Sequence, residues 1–404
     1  MAALVMGASA WFALFNIGNA EALAPQWGQD LAFFHQWIHS AANGGPWGSP
    51  LILEPQGFFQ QVHTHLILPF VVALYWFFPH QNLLLALHSF FVCLCLWPTY
   101  RLAEQIAGGR YALLCVLALL AFGPFQAVAT ADFRPLSLFL PGLIGVWASA
   151  RKGSLFGMLG WASIALMGRQ EAAYLLVSSG LAMLIFPWGN AKRQHGLALV
   201  GFGVLAWCLF VASKPTMFFH VNPIDPQPWP TSVELWERRL DFGVTLFQSG
   251  WGVFLFSPPS LLAAGPVLWG MLSGHREWHL LMGPGVHHHI FWLPFVVVGG
   301  LSVAHRIPKS MGPVLLLVAS TFSFPWIQRQ QGDLNLLSLV EQVPATAKVG
   351  ADYDTIHSLS GRPVLWNIDH FYMPDQPWHW TDDWPLTVED VDWILMPAGH
   401  PVSA

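Results

Sequence analysis

The chain has 404 residues, 54% of them hydrophobic and 10% charged, with a mean hydropathy of +0.48. Soluble domains carry about 25% charged residues, so this composition excludes an ordinary soluble globule and indicates a multi-span helical membrane protein. The net charge of -5, without a basic tail or stripe, excludes nucleic acid as a partner. Cys93, Cys95, Cys115 and Cys208 all fall in apolar segments and read as core thiols rather than disulfides or metal ligands.

A helix needs about 20 apolar residues to cross a bilayer, and about 17 can suffice. Residues 3–23 form the first such segment; its apolar part, Ala2 to Ile17, lacks a basic leading region and a clean small-residue cleavage site, so it reads as a retained span, with a signal peptide as the alternative. Further candidates in chain order are 82–100, 110–128, 135–150, 154–167, 171–187, 196–213, 243–257, 259–273, 289–304 and 310–325. Asp30 opens a segment in which Phe34, Trp37, Ile38 and Ala41 recur with helical spacing, leaving His35, Gln36 and His39 on the other face. That pattern predicts an interfacial amphipathic helix ending near Asn43-Gly44-Gly45-Pro46. Residues 66–78 are apolar but short, and contain Pro69.

Arg and Lys cluster in four loops, at Arg101/Arg110, Arg151/Lys152, Lys192/Arg193 and Arg306/Lys309. Short basic loops stay cytoplasmic, which puts residues 24–65, free of Lys and Arg, outside. If residues 66–78 crossed the bilayer, Asp30 would share a side with the Arg101 loop. Parity therefore makes them a re-entrant or interfacial helix on the outer leaflet. The expected architecture is a mainly α, polytopic bundle of about eleven spans over residues 1–325, with an outer-face loop at 24–81. The N-terminus is inside and the C-terminus outside. From about residue 326 the pattern alternates between helical and strand-like runs. This predicts a small α/β extracytoplasmic domain over 326–404.

Two acidic residues stand at outer span ends: Asp30, and Asp132 in Ala131-Asp132-Phe133-Arg134-Pro135. A carboxylate beside hydrocarbon is costly unless hydrated, paired or used. Asp30-Leu31 followed by Gln36-Trp37 and Gly44 resembles the first outer loop of a bacterial membrane-protein family, domain of unknown function 2079. So does His63 ahead of Phe78-Pro79. Asp132-Phe133-Arg134-Pro135 resembles that family's Asp-Phe-His-Pro stretch, with Arg134 in place of His, and Arg169-Gln170-Glu171-Ala172 resembles its Lys-Glu-Asp motif, also altered. Ser257-Pro258, His287-His288-His289 with Pro294, and Ala351-Asp352-Tyr353 with His357 and Arg362 extend the likeness along the chain.

That family is similar in layout to the GT-C membrane glycosyltransferases, which use a polyprenyl-phosphate sugar donor and an acidic base in the first outer loop. The resemblance implies sugar transfer at the outer face of a bacterial inner membrane, with Asp30 as base. An N-cap role for Asp30 competes with this. Asp132 could orient the acceptor or bind a metal; pairing with Arg134 or capping the helix entered at Pro135 are the alternatives. Arg134 and Arg169 suit donor phosphate because a guanidinium binds it bidentately, against interface anchoring by snorkelling. Glu171 fits either substrate binding or the N-terminal end of a helix dipole. His63 and His287 complete the substrate-binding set.

His63, His65, His287 and His289 are weak candidates for a divalent metal, the one cofactor in view, because they would have to converge from distant segments. The expected partners are membrane lipid and the polyprenyl-phosphate sugar. Two other functions compete: a transporter or flippase of a lipid-linked or amphipathic substrate, and a non-catalytic scaffold. Transporters often show repeats and ionisable groups at mid-membrane; here no repeat is visible and the ionisable groups lie at span ends.

Overall fold

The computed structural model describes residues 1–22, 28–45, 47, 64–213, 233–273, 287–304, 311–322, 334–344, 346–351, 356–360, 365–367 and 392–395. The helices in chain order are α1 (Ala2–Glu21), α2 (Gly28–Ala42), α3 (Leu68–Tyr75), α4 (Gln81–Leu94), α5 (Leu96–Ala107), α6 (Gly109–Ala121), α7 (Gly123–Ala129), α8 (Phe139–Lys152), α9 (Leu155–Gly168) and α10 (Ala172–Ile185). They continue with α11 (Arg193–Ser213), α12 (Val233–Gln248), α13 (Pro258–Ala263), α14 (Gly265–Ser273), α15 (Leu293–Ala304), α16 (Met311–Phe322) and α17 (Leu334–Gln342). Short strands among the described residues follow: β1 (Val349–Ala351), β2 (Leu365–Asn367) and β3 (Trp393–Leu395).

The protein is mainly helical. Among the described residues, three helical runs are long and apolar enough to cross a membrane: Ala2–Glu21, Gln81–Ala107 and Arg193–Ser213. A fourth is possible if Tyr111–Ala121 and Gly123–Ala129 form one span, bent by 68°. The bend has a local cause: Phe122 is extended between the two helices, and Pro124 follows with no N–H to continue the ladder. Leu155–Gly168, Ala172–Ile185, Leu293–Val303 and Met311–Thr321 are apolar but shorter. Side chains such as Phe156 (89% exposed) and Leu14 (71%) would be out of place in water, and suit a lipid-facing surface.

The chain divides into two compact units. The first comprises Met1–Ser9, Phe90–Ala129 and Pro135–Ile327. Its helices pack closely where glycine removes a side chain. A Cβ on Gly142 of α8 would lie 2.6 Å from the Ala165 Cβ of α9, and one on Gly145 would lie 2.2 Å from the Trp161 ring. Gly180 of α10 and Gly196 of α11 make a similar close approach. Small residues that let backbones meet are the usual means of joining helices in lipid. At the end of α8, Trp188 donates its indole N–H to the Trp147 carbonyl at 2.9 Å, and Arg151 stacks over the Trp188 ring.

The second unit comprises Ala10–Ser89, Thr130–Arg134 and Gln328–Ala404. Here α2 differs from the amphipathic expectation. Leu31 through Ile38 are all buried, His35 and Gln36 included. The reason is tertiary: α3 covers α2 from one direction and the 3-10 helix Ile356–Leu359 from another. A hydrogen bond of 2.8 Å from the Trp76 indole to the Ala42 carbonyl fastens the end of α3 to the end of α2.

Helix α3 has eight residues, about 12 Å at 1.5 Å per residue, and so falls far short of a bilayer core of about 30 Å. It buries Leu68, Val71, Val72 and Tyr75, while Phe70, Leu74, Trp76, Phe77 and Phe78 remain exposed. In the C-terminal part, β1 lies between β2 and β3 and pairs with both in parallel, Gly350 standing opposite Trp366 and Ile394. His357 is fully buried and donates from Nε2 to the carbonyl of Ala20 near the end of α1, at 3.0 Å.

Candidate functional site

The second unit gathers the residues expected at the first outer loop. Asp30 lies in the first turn of α2, where a carboxylate is favoured by the helix dipole. Its Oδ2 accepts from the Nη2 of Arg134 in an ion pair that joins residues 104 positions apart. The Arg134 side chain is 15% exposed and that of Asp30 is 26% exposed.

The irregular segment Thr130–Arg134 is held from three sides. Asn16 of α1 donates to the Ala131 carbonyl at 3.5 Å and to Ser89 Oγ at 3.2 Å. The Arg134 backbone N–H donates to Nδ1 of buried His88 in α4, at 3.2 Å. The Phe133 ring meets Phe34 of α2 edge-on, with centroids 5.5 Å apart. Asp132 is buried within this segment, two residues from the ion pair. His65 is buried against Phe34 and Trp37.

A second feature of this unit was not legible from residue spacing. Ser360 donates its hydroxyl to the His357 carbonyl at 2.6 Å. His35 Nδ1 stands 2.6 Å from Ser360 Oγ, so with that hydrogen committed it is His35 that donates. Nε2 of His35 is then the acceptor, and Tyr75 donates its hydroxyl to it at 2.7 Å. His39 Nδ1 lies 3.4 Å from the same Tyr75 oxygen. This one-way chain requires a neutral His35. Burial, followed by the nearby His39 and His80, lowers its pKa to about 3, in keeping with that tautomer. Burial likewise raises Tyr75 to about 12, so it remains a donor.

In the first unit, Arg169 and Glu171 form a separate pair, Nε to Oε1 at 2.9 Å, with side chains 13% and 4% exposed. Arg169 is extended at the end of α9. Glu171 stands at the N-cap position of α10 without a side-chain capping bond, its carboxylate turned to Arg169 instead. The Arg169 guanidinium also lies 5.9 Å from the Phe291 ring centroid. His289 is buried beside Trp292. Arg169 is therefore engaged in an internal contact rather than reaching out as a snorkelling anchor.

Among the described residues, no three His, Cys, Asp or Glu side chains converge to hold a metal ion. His63, Asp352, Tyr353 and Arg362, together with the side chains of His287 and His288, lie outside the described residues.

A search of the curated proteins found no match. The family match spans residues 28–219 and takes in Asp30, Gln36-Trp37, His63, Asp132 to Pro135 and Arg169 to Ala172; the later likenesses, at Ser257-Pro258, His287 to Pro294 and Ala351 to Arg362, lie beyond it. Residues 28–219 thus match the family described as "Predicted membrane protein (DUF2079)", and the apolar helices of the chain agree with a membrane protein.

Proposed function

We propose that the protein is a GT-C-like glycosyltransferase that moves a sugar from a polyprenyl-phosphate donor to an acceptor at the outer face of a bacterial inner membrane. The observation that carries this reading is the Asp30–Arg134 ion pair, a partly exposed carboxylate and a guanidinium meeting from two distant segments. A base and a phosphate-binding cation are the two groups that sugar transfer from a lipid phosphate most needs.

Asp30 takes the proton of the acceptor hydroxyl. The acceptor oxygen bonds to the anomeric carbon of the sugar. The bond from that carbon to the phosphate oxygen breaks, and its electron pair leaves on the phosphate. Arg134 holds that phosphate as its charge grows. Asp132, two residues away, orients the acceptor. Arg169, Glu171, His63 and His287 are assigned to substrate binding on the resemblance alone.

The accompanying topology has about eleven spans, with the N-terminus inside and residues 326–404 outside as a small α/β domain. The shortness of α3 and its exposed Phe70 and Leu74 favour its lying on the outer leaflet. The test is Asp30→Asn, assayed in membranes for transfer from a polyprenyl-phosphate sugar. Transfer is expected to fall by about a hundredfold or more, the usual contribution of a positioned base. Unchanged transfer by a correctly folded variant removes Asp30 from the chemistry.

A further inference from the structure

We infer that the Asp30–Arg134 ion pair is an anion-exchange latch: a phosphate group takes Arg134 from Asp30 on binding, and Asp30 reclaims it to expel the phosphate. This rests on the reading that the two residues serve one site, and adds to it a resting state and a means of product release.

Two ion pairs among the described residues differ in a telling way. Glu171, in the pair with Arg169, is 4% exposed, so separating that pair would strand a carboxylate away from water. Asp30 is 26% exposed and can be rehydrated when its partner leaves. The first turn of α2 continues to favour its negative charge during that interval.

Neither backbone needs to move. Arg134 is anchored through its N–H to His88, and its neighbour Phe133 through the contact with Phe34. Asp30 is fixed by the buried run from Leu31 to Ile38. Only the long Arg134 side chain has to change direction. The fork that meets a carboxylate also meets a phosphate, which carries more charge and more acceptor oxygens.

The consequence is an ordered cycle. In the resting protein, Arg134 stabilises the Asp30 carboxylate and weakens it as a base. When a phosphate occupies Arg134, Asp30 becomes more basic and can take the acceptor proton as transfer proceeds. Asp30 then gives that proton to water, and the restored carboxylate competes for Arg134 against the departing polyprenyl phosphate.

The test is binding of farnesyl phosphate, and separately of inorganic phosphate, to the purified full chain. The variants are Asp30→Asn, Arg134→Gln and the double variant. Asp30→Asn should bind farnesyl phosphate about fivefold more tightly than the natural protein, the scale set by removing one partly exposed competing charge. Arg134→Gln should bind more weakly, and the double variant should match Arg134→Gln.

Unchanged or weaker binding by Asp30→Asn overturns the latch, as does a gain that persists in the double variant. Phenylglyoxal labelling of Arg134 in the natural protein gives a reading that needs no variant. Farnesyl phosphate should slow it, and labelling unaffected by saturating phosphate overturns the proposal. Preference for farnesyl over inorganic phosphate identifies a lipid-linked source, and equal affinity identifies free phosphate. If the latch results hold while membranes show no sugar transfer, the exchange stands and the glycosyltransferase reading falls.

Discussion

His35 and Ser360 lie 325 positions apart in the chain and 2.6 Å apart in the fold. Their hydrogen bond ties α2 to the turn after Ile356–Leu359, with Tyr75 closing the chain of donors on the other ring nitrogen. Each donor in this buried chain has one acceptor, and protonating His35 would leave two donors, His35 Nε2–H and the Tyr75 hydroxyl, facing one another.

The first prediction concerns pH. His35 titrates near 6.5 when unfolded and at about 3 in place, so between those values the unfolded state binds more protons. Stability from this group is therefore complete above about pH 6.5 and falls as the pH drops toward 3, by about 1.4 kcal/mol per unit. Amide hydrogen exchange in α2 and residues 356–360 should accelerate on acidification, and His35→Gln should flatten that dependence. An unchanged slope in the variant would assign the effect elsewhere.

Tyr75→Phe isolates one link. It leaves the His35 Nε2 acceptor buried without its donor, which costs about 1–3 kcal/mol. The midpoint of thermal unfolding in detergent should fall, and the loss should be smaller when His35 has already been replaced, because the two share one interaction.

Arg169→Ala should be more damaging than Glu171→Gln. Truncating Arg169 strands a carboxylate that is 4% exposed, a loss of about 3–5 kcal/mol for a buried pair, whereas Glu171→Gln removes the charge that would have been stranded. Comparing the folded yields and unfolding midpoints of the two variants checks the order; equal losses would mean that the pair is not desolvated as described.

Packing of α8 on α9 gives a sharper contrast. Gly142→Ala places a Cβ 2.6 Å from both the Cβ and the backbone nitrogen of Ala165, so the helices must separate, at about 1–3 kcal/mol. Gly160→Ala in α9 meets nothing within 4 Å and should be neutral or slightly stabilising, since alanine favours helix. Paired thermal midpoints decide between close packing and a general intolerance of change in these helices.

How much of this was legible beforehand depended on distance along the chain. The apolar runs that became α1, α11 and the Gln81–Ala107 helix were readable because hydropathy is a local sum. Asp30 was readable as a candidate because a carboxylate between apolar segments is unusual wherever it points. Its ion pair was not: spacing offers Arg134 a local partner in Asp132, two residues away, and carries no signal for the pair with Asp30, 104 residues away. Spacing against Phe34, Trp37 and Ile38 puts His35 on a polar face, and the cover supplied by α3 and by residues 356–360 buries that face.

By itself, then, the sequence determined that the chain is an apolar, helical membrane protein with acidic residues between its apolar segments, since composition and short-range pattern carry that information. The tertiary structure decided which charges neutralise one another and which histidine stays neutral. Those outcomes depend on desolvation and on partners that folding alone brings within hydrogen-bonding reach.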